Sequence, residues 1–197
     1  MRCSGPARVH NEQRSGDVRY ADGPTIECDL HVAADPARVW DLVTDIELPA
    51  RFSQELRRVR WLDDCDRPTL GARFEGENHH PLLGEWQTVS HVVRLDAPRV
   101  FAWVVVDEAG RFGGGPADPE RPGSTWQFRL VEEAGGCRLT HSVRIGPGRT
   151  GLSLIIDRAP EQEEVIIERR TAALREAMLT TLEGIKALAE TPADDGR

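Results

Sequence analysis

Two polar side chains fall on the otherwise apolar faces of predicted strands, where hydrogen bonding to a buried ligand becomes possible. In the strand predicted at 72–78, Phe74 and Asn78 share one face, because side chains alternate along a strand. In the strand predicted at 139–145, His141 shares a face with apolar residues. An inward Asn or His can hydrogen-bond a ligand carbonyl or polarise it toward an enol, as cyclisation chemistry requires. Asn78 and His141 are therefore candidate catalytic or binding residues; the alternative is a core residue satisfied by backbone or water.

Large flat side chains recur on the same predicted strands. Trp86, Trp103 and Trp126 fall on three different strands, out of five Trp residues in the chain. Ligand pockets are mostly apolar and aromatic with a few polar groups, so we predict that these three tryptophans and Phe74 line a ligand site. Met178, from the apolar stripe of the last predicted helix, completes the predicted ligand contacts. Plain core packing is the alternative interpretation.

Residue types for metal, cofactor or nucleophilic chemistry lack a supporting arrangement. His79 and His80 are adjacent, so on a strand they point to opposite faces and do not readily ligate one ion. The 4 cysteines have no C-x-x-C spacing, which favours reduced thiols over a zinc site. The glycine run at 113–115 is interpreted as a flexible loop, because it does not join a strand to a helix as a phosphate-binding loop does. We predict no metal and no cofactor.

Charge and hydropathy exclude several classes of partner. The chain has 197 residues, with 25 Lys+Arg against 33 Asp+Glu and a formal net charge of -8. Nucleic-acid binding needs a basic face, and docking on an anionic membrane needs basic clusters, so neither is expected. No apolar run approaches the ~18 residues that span a bilayer, and the first residues lack the apolar stretch of a signal peptide. We predict a cytoplasmic protein without membrane insertion.

The elements that must position these residues are predicted from periodicity and turn signals. A strand at 25–32 is followed by a helix that begins at Asp35-Pro36 and by a second short helix near 49–56. Six further strands separated by short turns then precede one long helix at 161–189. This order predicts an α+β helix-grip fold, in which a curved antiparallel sheet of about seven strands wraps around the C-terminal helix. We predict a mobile arm at 1–23, one domain at 24–190 and a frayed tail at 191–197.

The sequence resembles the START-like, or SRPBCC, superfamily and within it the polyketide cyclase/dehydrase-type proteins. The likeness is carried by the D-P-x-x-V-W-x-x-x-x-D pattern that opens the first helix, by the motifs around Phe74 and Trp103, and by the Leu-Thr-His segment ending at His141. The resemblance implies an apolar cavity between the sheet and the last helix. Members bind lipids, polyketides, quinones or hormones there, and some act as aromatase/cyclases. No catalytic signature is shared across the family, so the resemblance implies no particular reaction.

Three functions from different classes stay open at this stage. The leading hypothesis is a monomer or homodimer that binds a hydrophobic or polycyclic small molecule in the cavity. The second is a cyclase/dehydrase that acts on a poly-β-keto chain, with Asn78 and His141 as polar anchors. The third is a protein-interaction module with a filled core, which predicts no cavity above ~300 Å³.

Overall fold

The computed structural model of the chain describes residues 8–10, 18–81 and 84–192. The strands are β1 (Arg8–His10), β2 (Thr25–Val32), β3 (Leu56–Trp61), β4 (Arg73–His80), β5 (Gly84–Asp96), β6 (Val100–Val106), β7 (Ser124–Glu133) and β8 (Gly136–Ile145). The helices are α1 (Pro36–Thr44), α2 (Gly151–Arg158) and α3 (Glu163–Glu190), with 3-10 turns at Tyr20–Asp22, Leu48–Arg51 and Pro160–Gln162. All strands pair antiparallel in one sheet, in the order β1-β2-β8-β7-β6-β5-β4-β3.

The predicted α+β helix-grip fold is confirmed. Seven strands of at least six residues, β2 to β8, form the sheet, and β1 adds three residues at its edge. Of the two short helices predicted after β2, the first is α1 and the second is only a 3-10 turn. The turn is short because Pro49 permits a helical start while the chain is already extended again at β3.

Local sequence signals account for the entry into the fold. Side chains of β2 alternate, and the set that points inward is apolar and almost fully buried, as Ile26 and Val32 show. At the start of α1, Asp35 Oδ1 accepts a hydrogen bond from the Ala37 backbone N–H at 2.8 Å, and Pro36 occupies the first turn. The predicted N-terminal cap of this helix is therefore present.

Bulges in two strand pairs bend the sheet. The register shifts between Leu56 and Arg58 in the β3–β4 pair and between Val92 and Arg94 in the β5–β6 pair. A bulge adds a residue to one strand and increases its local twist, so these positions help the sheet to curve. The concave face that results is the one that faces α3.

The long helix α3 is anchored to the sheet along its C-terminal half. Its 28 residues make a rod about 42 Å long at 1.5 Å per residue. Leu182 and Ile185 are at most 1 % exposed and belong to the same buried cluster as the inward side chains of β2 and β8. In the N-terminal half of α3, Ile167 also packs into this cluster, while Ile166, Arg169, Arg170 and Ala173 line the cavity described below.

Helix α2 was not predicted from the sequence. Thr150 Oγ1 accepts a hydrogen bond from Leu152 N–H, and Ser153 Oγ accepts one from Thr150 N–H, which together cap the helix. The Thr-x-x-Ser spacing and the apolar residues that follow were the available signal. The signal is weak because Ser replaces the usual Glu or Gln at the third helical position.

Parts of the predicted arm contact the domain. β1 pairs with β2, and Tyr20 packs against the core. The Tyr20 hydroxyl donates to the Gly148 carbonyl at 2.6 Å, and its backbone N–H donates to Glu163 Oε1 at 2.8 Å. Residues 18–23 are therefore held where α3 begins. The remainder of the predicted arm and most of the predicted tail lie outside the described residues.

Candidate functional site

A cavity of about 560 Å³ lies between the concave face of the sheet and the N-terminal half of α3. Strands β3 to β8 supply its floor, and α2 and α3 supply its roof. This volume falls within the ~300–1,000 Å³ range of small-molecule sites. The filled core expected of a protein-interaction module is therefore not observed.

All seven residues predicted to contact a ligand line this one cavity: Phe74, Asn78, Trp86, Trp103, Trp126, His141 and Met178. The two-residue alternation of the strands explains this result, because each of the six strand residues occupies an inward position of its strand. Their role in ligand binding stays a prediction, whereas their shared location is a feature of the structure.

Aromatic rings form a continuous row across the cavity floor. Trp103 and Trp126 are paired across β6 and β7, and their rings are nearly parallel, with a 7° interplanar angle and centroids 6.4 Å apart. Phe74 reaches Trp103 from β4, with centroids 6.2 Å apart, although β5 lies between these strands. The partner of Phe74 on β5 is Ser90, whose small side chain allows the Phe74 and Trp103 rings to approach each other across β5. Flat ligands can lie along such a row.

His141 ends the aromatic row on β8. Its ring stacks on Phe128 with centroids 4.2 Å apart and contacts Trp126 at 5.4 Å. The residue is 6 % exposed, and both ring nitrogens are buried without a hydrogen-bond partner among the described residues. Burial lowers the pKa of His141 to about 3, because the charged imidazolium would lose its hydration. His141 is therefore a neutral imidazole at physiological pH, in which one ring nitrogen is a donor and the other an acceptor.

Asn78 is partly engaged by its own strand neighbourhood. Its side-chain Nδ2 donates to the Gly76 carbonyl at 3.1 Å and to Thr88 Oγ1 at 3.3 Å. These contacts use the amide's two donor hydrogens, so its remaining capacity is that of an acceptor. The structure thus supports the core-satisfied interpretation for the donor side of Asn78 and leaves its carbonyl oxygen for a ligand.

Small side chains on α3 open the cavity to solvent. Ala173 and Ala177 are exposed and also line the cavity, which places the mouth beside this face of the helix. Arg170 lies on the same wall and forms a two-fold ion pair with Glu55, at 2.7 and 3.0 Å. Sequence reasoning missed both alanines; their spacing of four residues next to the apolar stripe was the signal that could have revealed them.

The other candidate chemistries find no support in the described residues. No group of three or more His, Cys, Asp and Glu side chains in this part of the chain could hold a metal ion. Cys28 and Cys137 are buried free thiols, and burial raises the pKa of each. No described helix is long and apolar enough to cross a membrane.

The fold is a helix-grip fold with an internal cavity, and comparison with known proteins identifies the family. The family model described as polyketide cyclase / dehydrase and lipid transport matches residues 24–189. The chain belongs to this family. Among curated proteins, no sequence matches the chain.

Solved structures with the same fold include a polyketide-cyclase-like protein from Corynebacterium glutamicum, with 26% identity and a TM-score of 0.57 over 84% of this chain and 91% of that one. A protein from Mycobacterium smegmatis has 18% identity and a TM-score of 0.54, covering 92% and 97% of the two chains. The di-domain ARO/CYC StfQ from the steffimycin biosynthetic pathway has 14% identity and a TM-score of 0.59, covering 84% of this chain and 50% of that one. The last two show the fold alone.

Proposed function

We propose that this protein binds a hydrophobic, flat or polycyclic small molecule in the cavity beneath α3. The observation that carries the proposal is the row of aromatic rings on the floor of a cavity of about 560 Å³. An apolar ligand that covers these rings gains roughly 25 cal/mol for each Å² of apolar surface removed from water. The family description, which covers cyclases, dehydrases and lipid transport, supports the same class of ligand.

His141 indicates which polar group the ligand carries beside its apolar surface. His141 is neutral, so it favours a hydroxyl or carbonyl group over a carboxylate. Both ring nitrogens are buried while another part of the residue lines the cavity, so the ring must rotate to present a nitrogen to a ligand. A ligand bond there would satisfy a group whose burial without a partner costs about 1–3 kcal/mol.

Probe binding with a blocked mouth tests the proposal. N-phenyl-1-naphthylamine is a neutral aromatic probe whose fluorescence rises in apolar surroundings, and we expect the wild-type protein to bind it. In the variant Ala177→Trp the indole occupies the mouth, and we expect at least tenfold weaker binding. The matched control is Ala172→Trp, on the same helix at an exposed position that does not line the cavity, and it should bind as the wild type does.

Equal probe binding by both tryptophan variants would contradict the cavity as the binding site. Native mass spectrometry of protein purified from its producing cells identifies the natural ligand independently. A stoichiometric hydrophobic compound released on denaturation would support a carrier function. Circular dichroism of each variant verifies that the fold is retained.

A cyclase/dehydrase activity is the second candidate, and one observation favours it: a neutral imidazole stands at the cavity wall with both nitrogens unpartnered among the described residues. The ARO/CYC proteins among the structural neighbours share this fold. Because the amide donors of Asn78 are already engaged, His141 is the stronger candidate for polarising a carbonyl. If the protein is such an enzyme, His141→Phe keeps ligand binding and abolishes turnover of a poly-β-keto substrate. Unchanged turnover would remove His141 from the mechanism.

A further inference from the structure

Phe112 is a single buried residue in an otherwise exposed loop. Every other residue from 108 to 121 is exposed, whereas Phe112 is 5 % exposed. Gly110 and Gly113 flank it with φ angles of 65° and 75°, which residues with side chains rarely adopt. The chain can therefore turn sharply on both sides of Phe112 and direct this one ring inward.

Side chains from two other segments hold the Phe112 backbone. Its N–H donates to Asp107 Oδ2 at 2.6 Å, and its carbonyl accepts from Arg149 Nε at 2.8 Å. Arg149 also pairs with Asp157 of α2, which restrains the guanidinium. The ring is thus positioned by specific hydrogen bonds, in addition to burial of its apolar surface.

The Phe112 ring forms part of the cavity wall. It meets the Trp86 ring edge to face, with centroids 6.4 Å apart, and both residues line the cavity. Asp107 follows the last residue of β6. Phe101, near the start of that strand, is paired with Phe128, which is in turn paired with His141, so Phe101 and His141 lie at the same level of the sheet. Asp107 lies six residue steps after Phe101 along the extended chain, a distance of about 20 Å at 3.3 Å per residue. His141 and Phe112 therefore stand toward opposite ends of the cavity.

We infer that Phe112 is an end stop that determines the longest ligand the cavity accepts, with Asp107 and Arg149 as its positioning residues. This inference rests on the proposed ligand-binding function and adds a specificity determinant to it. At this end the ligand meets the aromatic rings of Trp86 and Phe112, and the polar residues Asp107 and Arg149 also line the cavity. A ligand too long to fit between the opposite end of the cavity and the Phe112 ring is excluded because its atoms would overlap with the ring.

A homologous series of 4-alkylphenols tests the end stop, with binding measured by displacement of N-phenyl-1-naphthylamine. In the wild type we expect affinity to rise about fourfold per added methylene and then to level off or fall at one tail length. Phe112→Ala should move this limit to longer tails, and Phe112→Trp should move it to shorter tails. Pro116→Ala, at an exposed position of the same loop, is the matched control and should keep the wild-type limit.

The positioning role is tested by a pair of changes at one residue. Asp107→Ala removes the acceptor for the Phe112 N–H and should shift the limit to longer tails, whereas Asp107→Asn keeps an acceptor oxygen and should restore the wild-type limit. Short phenols should bind all folded variants with affinities within about twofold. An identical limit in the wild type, Phe112→Ala and Phe112→Trp would overturn the inference while leaving the proposed function intact. Absence of probe binding by the wild type would instead overturn the proposed function.

Discussion

Burial of the His141 imidazole determines its charge and makes it an acid-sensitive point of the fold. The pKa of His141 is lowered to about 3 by loss of hydration, whereas an unfolded chain has a His pKa of about 6.5. Below pH 6.5 the unfolded state takes up the proton first, so the free energy of unfolding falls as the pH falls toward 3.

The first prediction follows from that difference. Between pH 6.5 and 5, His141 should reduce the free energy of unfolding by about 1.6 kcal/mol, with a slope that approaches ~1.36 kcal/mol per pH unit at the lower pH. His141→Phe should lack this contribution and, at pH 7.5, be at least as stable as the wild type, because it removes two buried nitrogens that have no partner in the described part of the chain. Urea unfolding at several pH values measures both effects.

His79→Gln provides the control for this pH series, because alternation places His79 on the outer face of β4. The free energy of unfolding of His79→Gln should fall with pH as steeply as that of the wild type. Equal acid sensitivity of His141→Phe and the wild type would show that the imidazole is hydrated or paired in solution.

At the scale of elements, a close approach between α3 and the turn before β3 depends on a glycine. Gly184 lies inside α3, and a methyl group added there would overlap the ring of Phe52, which packs against the core. Glycine in a helix interior costs about 1 kcal/mol relative to alanine. Glycine lowers the helix propensity at this position but lets the Phe52 ring approach α3 closely.

The second prediction is that Gly184→Ala changes the free energy of unfolding in opposite directions when Phe52 is present and when it is replaced by alanine. In the wild-type background it should lower the free energy of unfolding by about 1–2 kcal/mol, since the overlap costs more than the propensity gain. In a Phe52→Ala background it should raise the free energy of unfolding by about 1 kcal/mol. A double-mutant cycle by urea unfolding measures the coupling. Equal stabilisation in both backgrounds would mean that Phe52 moves aside without cost.

At the scale of the whole molecule, the cavity couples ligand binding to stability. Side chains of the described residues leave the space under α3 unfilled, so a ligand bound there binds the folded state alone. The third prediction is that N-phenyl-1-naphthylamine at ten times its dissociation constant stabilises the protein by about 1.4 kcal/mol. The midpoint temperature of thermal unfolding should then rise by roughly 3–6 °C. Ala177→Trp should show little shift, and a full shift in that variant would locate the probe elsewhere.

Much of the wall of the site was predictable because strand alternation is a local property. Once residues 72–78 and 139–145 are strands, Phe74, Asn78 and His141 must share the inward face, and the structure places them there. The apolar stripe of α3, including Met178, was equally accessible from helical periodicity. Phe112 was not, because its inward position depends on a contact with the distant residue Arg149, whereas α2 and the alanines at the mouth carried only weak local signals.

The sequence by itself determined the helix-grip fold class and the residues that face inward, since both depend on periods of two and 3.6 residues. Only the tertiary structure decided that the interior is hollow, that Trp103 and Trp126 lie nearly parallel, and that Phe112 is buried beside Trp86 in the cavity wall. The physical reason is that a pattern of apolar residues specifies a buried face but not what fills the space opposite it. Here small residues on α3 and a loop held by Asp107 and Arg149 leave that space open and bounded.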